Sequence, residues 1–167
     1  MMRSLTRRGF LAGSVLALAA CSTKFPKYNG PPVTKLEVFK SDRILKVYSG
    51  RRLLQTYGVE LGFGATGHKQ FEGDGKTPEG RYLIDRRNPN SSFYLSLGIS
   101  YPNARDRAFA AAHGKSPGGD IFIHGQPNVL SRKRGPDWTA GCIALTDKEM
   151  RKLYAMVNDG TVIDIFP

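Results

Sequence analysis

Between residues 33 and 61, apolar and polar positions alternate with the period of two expected of half-buried strands. Val33-Thr34-Lys35-Leu36-Glu37-Val38-Phe39 leads to a polar turn at Ser41-Asp42. Arg43-Ile44-Leu45-Lys46-Val47-Tyr48 follows, then a turn at Gly50 and a third run from Leu53 to Leu61. Three strands joined this tightly predict an antiparallel meander. Residues 62–80 lose the alternation and are rich in Gly, which predicts a long irregular loop; inside a compact domain such a loop is more often functional than idle. Alternation returns at Arg81–Arg86 and Phe93–Ser100.

Two segments change to helical spacing. Ala104 to His113 is Ala-rich, has Asn103 before it as a cap and Gly114 after it. Thr146-Asp147-Lys148-Glu149 is a capping box, and the helix it opens presents Met150, Leu153, Tyr154 and Val157 on one face before Gly160. Asp120 to His124 reads as a short apolar strand, residues 125–140 as a second loop, and Thr161 to Phe166 as a final strand. The expectation is a mostly β (α+β) single domain with two helices over residues 33–167.

The first twenty residues stand apart. Arg3, Arg7 and Arg8 precede an uncharged apolar run, Phe10 to Ala20. As a helix that run would rise about 16 Å, far short of a hydrocarbon core of about 30 Å, so it reads as an export signal and not a membrane span. Thr6-Arg7-Arg8-Gly9-Phe10-Leu11 is similar to a twin-arginine export motif. Leu18-Ala19-Ala20-Cys21 is similar to a lipobox, after which Cys21 would carry lipid and become the mature N-terminus. Ser22 to Pro32, with three Pro and two Lys, then reads as a tether. These features predict a periplasmic protein anchored to a membrane through Cys21.

Charge acquires a meaning once export is considered. The 167 residues carry a formal net charge of +11, with 25 Lys or Arg against 14 Asp or Glu. Residues 1–20 hold three of the positive charges and no acid, so +8 remains on the rest. An exported chain does not meet chromosomal DNA, so no nucleic-acid partner is expected. Anionic lipid and the acidic groups of the cell wall remain as partners. Two cysteines, Cys21 and Cys142, exclude a disulfide framework, and lipid on Cys21 would leave Cys142 a lone thiol.

The chemistry converges on Ile121-Phe122-Ile123-His124-Gly125 and Asp137-Trp138-Thr139-Ala140-Gly141-Cys142-Ile143-Ala144-Leu145. A thiol attacks as the thiolate, which a neighbouring imidazole is able to stabilise as an ion pair. His124 ends a strand, and Cys142 sits in a Gly-containing turn before a helix. Backbone N–H groups around Gly141 and Cys142 are placed to bind a tetrahedral oxyanion.

His-Gly, a loop, then Ser/Thr-x-Gly-Cys resembles the L,D-transpeptidase (YkuD-type) catalytic domain, which acts on bacterial peptidoglycan. Thr77-Pro78-Glu79-Gly80 is similar to that family's Thr-Pro-x-Gly element, and the terminal Gly-Thr-x-Ile strand fits as well. The resemblance implies Cys142 as nucleophile, His124 as base and later acid, and the Gly125 carbonyl as the group orienting the imidazole. It further implies Thr139 at the Ser/Thr position, Gly141 in the oxyanion hole, and meso-diaminopimelate peptide stems as substrate, with no cofactor. Many members carry an Arg two residues after the Cys, where this chain has Ala144. The Gly-Cys-x-Ala form resembles the subgroup that hydrolyses peptidoglycan-linked amides.

Plainer readings accompany these. Lys69, Asp74 and Lys76 line the substrate cleft or merely solvate a Gly-rich loop. Trp138 is a stacking or lid residue, or an anchor for its loop. Arg132, Lys133 and Arg134 form a basic cluster between His124 and Cys142 that would attract carboxylates or simply face water. His68, His113, His124 and Cys142 have no short ligand spacing, so no metal is predicted. A same-fold hydrolase, an inactive wall-binding module, and a lipoprotein held on anionic surfaces by charge are the rival functions.

Overall fold

A computed structural model describes residues 25–64, 66–129 and 135–167. The export signal, Cys21 and the cluster Arg132, Lys133 and Arg134 lie outside the described residues. The elements are β1 (Lys35–Phe39), β2 (Ile44–Ser49), β3 (Arg52–Gly58), β4 (Gly80–Asn88), β5 (Ser96–Ile99), α1 (Ala104–Ala112), β6 (Phe122–His124), β7 (Ile143–Ala144), α2 (Asp147–Met156) and β8 (Val162–Phe166). The mostly β architecture with two helices is the one the sequence pattern predicts.

The strands form one sheet in the order β3-β2-β1-β8-β4-β5-β6-β7. Strands β1 to β3 make the expected meander, with a bulge between Val47 and Tyr48. The last strand does not add to an edge. It inserts between β1, to which it is parallel, and β4, to which it is antiparallel. The pattern of its apolar residues explains why: Ile163 and Ile165 are fully buried beside Leu36 and Val38.

Helix α2 covers this centre. Its capping box forms as predicted, with Glu149 N–H donating to Thr146 Oγ1 and Thr146 N–H to Glu149 Oε2. Met150, Leu153 and Val157 are fully buried, each large side chain contributing roughly 1.5–3 kcal/mol. Residues 25–31 are the described part of the expected tether. They lie against the domain, where Pro26, Lys27, Tyr28 and Pro31 share a groove with Leu54, Tyr57, Lys152 and Met156. The Phe25 ring sits 6.3 Å from that of Tyr154.

The Gly-rich loop is ordered by an internal acid. Asp74 accepts the backbone N–H groups of Gln70, Phe71 and Lys76 at 2.8–3.0 Å and the Lys69 ammonium at 2.9 Å. Burial pushes its carboxyl up, but these four donors together outweigh burial and hold it down at about 2. Because the folded value lies below the ordinary 3.8, the stabilisation is complete above about pH 4 and disappears as the pH falls through about 2. Asp74→Asn is expected to lose about 2 kcal/mol in urea unfolding at pH 7, a difference that closes near pH 2.

Candidate active site

His124 and Cys142 reach one place because β6 and β7 pair in parallel, Ile123 beside Ile143 and His124 beside Ala144. The main chain reinforces this, Leu145 N–H donating to His124 O at 2.9 Å. The two-residue strand β7 is too short to leave a signal in the pattern, and its partner Glu60 N–H donates to Ala144 O from the end of the meander.

The imidazole is buried, 4% exposed, and its Nδ1 lies 2.7 Å from Gly125 O. A carbonyl only accepts, so Nδ1 carries a hydrogen, and in the neutral ring this leaves the lone pair on Nε2, the tautomer a general base needs. Gly125 is tightly enclosed: a Cβ there would lie 2.5 Å from Asp147 Oδ1 and 3.0 Å from Phe93 O. The rings of Phe93 and Trp138 lie 4.5 and 5.7 Å from the imidazole, and 6.1 Å from each other. Trp138 is thereby a neighbour of the base, whereas Phe93 carried no sequence signal beyond strand alternation.

The turn carrying the nucleophile is held by Thr139. Its hydroxyl donates to Cys142 O at 2.7 Å and accepts Gly141 N–H at 3.2 Å. Thr139 N–H donates to Leu61 O, and Phe63 N–H returns to Thr139 O. Gly141 has φ +129°, and a Cβ there would come within 2.7 Å of Lys76 O, so only glycine lets the turn lie so close to the loop. The Thr-Pro-x-Gly element supplies a support on the same side, Thr77 Oγ1 accepting Gly62 N–H at 3.0 Å.

Cys142 is partly buried, and its Sγ donates to Asp120 O at 3.6 Å. Burial pushes the thiol above its ordinary value. The Phe122 N–H pulls it down, the Asp120 carboxylate pushes it up, and the Lys69 ammonium pulls it down. Burial prevails, so the net displacement of the thiol is upward.

Lys69 is 3% exposed, with Nζ donating to Asp74 Oδ1 and Phe71 O. It therefore acts on the sulfur through its charge and does not line the cleft among the described residues. A buried ammonium requires such partners, which turn it inward. The cleft itself, about 290 Å³, is lined by Asn88, Ser91, Ser92, Phe93, Ser96, Asp120, Phe122, His124 and Cys142. His68 and His113 lie elsewhere, the first paired with Asp106 at 3.1 Å and the second at the end of α1.

Cys142 and His124 thus line one cleft, with the imidazole oriented by the main chain. The family model of the YkuD L,D-transpeptidase catalytic domain matches residues 34–165, and the chain belongs to this family. It is 32% identical over 139 residues to the L,D-transpeptidase-family protein YafK of Escherichia coli strain K12, covering 80% of this chain and 50% of that protein. It is 25% identical to the family protein YkuD of Bacillus licheniformis, over 80% of this chain and 66% of that one. Among solved structures, it is similar to the helical cell shape determining protein Pgp2 of Campylobacter jejuni, with a TM-score of 0.64 and 31% identity over 83% of this chain and 49% of that chain. The chain thus spans about half the length of YafK and of Pgp2.

In a Cys21→Ser background, alkylation of Cys142 by iodoacetamide is expected to rise with pH and reach half its maximum above 9.0, the ordinary thiol value. A half-rise below pH 8 would instead reveal a resting ion pair.

Proposed function

We propose that this protein is a peptidoglycan-modifying cysteine enzyme, an L,D-transpeptidase acting on diaminopimelate-containing peptide stems through a Cys142 acyl-enzyme. The observation that supports the reading is the pairing of β6 with β7, which brings the His124 imidazole, oriented by Gly125 O, into one cleft with the Cys142 thiol.

In the reaction, Sγ attacks the scissile carbonyl as Nε2 of His124 takes the thiol proton. Charge develops on the carbonyl oxygen. The N–H of Cys142 is our candidate donor to it; the Gly141 N–H is held by Thr139, so Gly141 serves chiefly by close approach. His124 then returns the proton to the departing amine, leaving a thioester. An acceptor amine, deprotonated by the same Nε2, attacks the thioester and regenerates the thiol. Trp138 and Phe93 flank the imidazole and shield this exchange from water.

Hydrolysis is the second reading, with water in place of the amine. Ala144 favours it: the position is 1% exposed and faces the interior, so it puts no guanidinium into the cleft for a donor carboxylate. On the export features of residues 1–21, the protein works in the periplasm, held to a membrane by lipid on Cys21.

Two experiments test these proposals. Purified protein and its Cys142→Ala variant are incubated with muropeptides, and products are read by intact mass. New cross-links or D-amino-acid exchange in the wild type alone are expected; addition of water alone would establish the hydrolase, and no change in either would reject the enzyme. Cys21→Ser is expected to move the protein from the membrane to the soluble fraction, and unchanged fractionation would reject the anchor.

A further inference from the structure

The cleft beside Cys142 has an uneven charge. Arg86 already has a full partner in Asp85, Nη1 donating to both carboxylate oxygens at 3.1 Å, and its guanidinium lies 4.5 Å over the Phe122 ring. Asp120 adds a second carboxylate to the same guanidinium, at 3.1 Å through Nη2. Among the described residues, one cation and two carboxylates leave a surplus of one negative charge. That surplus is open to solvent, the Asp120 side chain being 89% exposed. No cationic side chain is among the described residues lining the cleft.

The place of this charge is fixed by the main chain. Asp120 has φ +53°, a left-handed conformation that Asp and Asn tolerate better than other side chains. This conformation aims its carbonyl at the nucleophile, where it accepts the Cys142 thiol. The carboxylate therefore belongs to the residue whose carbonyl touches Sγ, and both residues line one cleft. Anchoring Arg86 does not explain it, because Asp85 and the Phe122 ring already do so.

We infer that Asp120 is a specificity-determining residue, whose carboxylate pairs with a free ammonium on the side chain of the stem residue that donates its carbonyl to Cys142. This inference rests on the reading of the site given above and adds to it the substrate's charge. An ammonium brought to Asp120 neutralises the surplus, whereas an acylated, uncharged side chain leaves it unmatched.

The test compares two disaccharide-tetrapeptide stems, identical except that the diaminopimelate side-chain amine is free in one and acetylated in the other. Their consumption is read by intact mass as a ratio of kcat/KM values. Wild-type protein should prefer the free amine about fivefold, the upper end for an exposed ion pair, with the preference shrinking in high salt. Asp120→Asn keeps the left-handed backbone and the carbonyl at Sγ but loses the charge, so the ratio should fall to about one. Any general change in thiol reactivity moves both stems together and leaves the ratio intact. Equal use of both stems by the wild type, or a preference retained in Asp120→Asn, would overturn the inference while leaving the enzyme reading standing. Turnover of neither stem would overturn that reading and this one with it.

Discussion

The insertion of β8 between β1 and β4 is the constraint on which the rest of the sheet hangs. The meander β1–β3 and the site-bearing strands β4–β7 lie on opposite sides of it, joined in one sheet through its two edges. Ile163 and Ile165 face the core shared with Leu36, Val38, Met150 and Leu153. Its Ile163 pairs with Leu36 on one edge and Tyr82 on the other, so the contacts on both edges are of long sequence separation and their loop-closure entropy must be met before they stabilise anything. The site is thus built on a scaffold that is complete only when β8 is in place.

From that scaffold the site is assembled by main-chain contacts more than by side-chain reach. His124 is oriented by the carbonyl of the next residue, and Cys142 by a turn whose hydrogen bonds converge on Thr139. Glu60 and Leu61, at the end of the meander, hold Ala144 and Thr139 through their backbones. Asp137 adds a side-chain brace: it accepts Leu61 N–H at 3.1 Å and pairs with Arg43, while its own N–H donates to Glu60 at 2.7 Å. Such an arrangement fixes Cys142 and His124 with little side-chain entropy to lose.

Much of this was legible in the residues alone. Alternation marked the meander because one face of it is buried and the other wet, and the Thr146–Glu149 capping box marked α2 and Asn103 the start of α1 because their polar groups have local work to do. The order His124-Gly125, Thr139-x-Gly141-Cys142 pointed to two residues that the fold brings into one cleft. What the pattern does not carry is long-range: the parallel partner of β8, the two-residue β7, and the inward turn of Lys69 toward Asp74. Each depends on a neighbour distant in sequence or on a loop without period. Asp120 escaped for a different reason, since an acid before an apolar strand looks like an ordinary solvated edge until its left-handed backbone and its distance to sulfur are seen.

The packing of residues 25–31 onto α2 and β3 has a consequence for where such a protein could work. Four residue steps separate Cys21 from Phe25, a span of at most about 14 Å at full extension. A lipid on Cys21 would then act as a bracket and not a leash. The catalytic cleft would travel in a thin layer at a set height over the bilayer, meeting only those strands of the wall that come down to it.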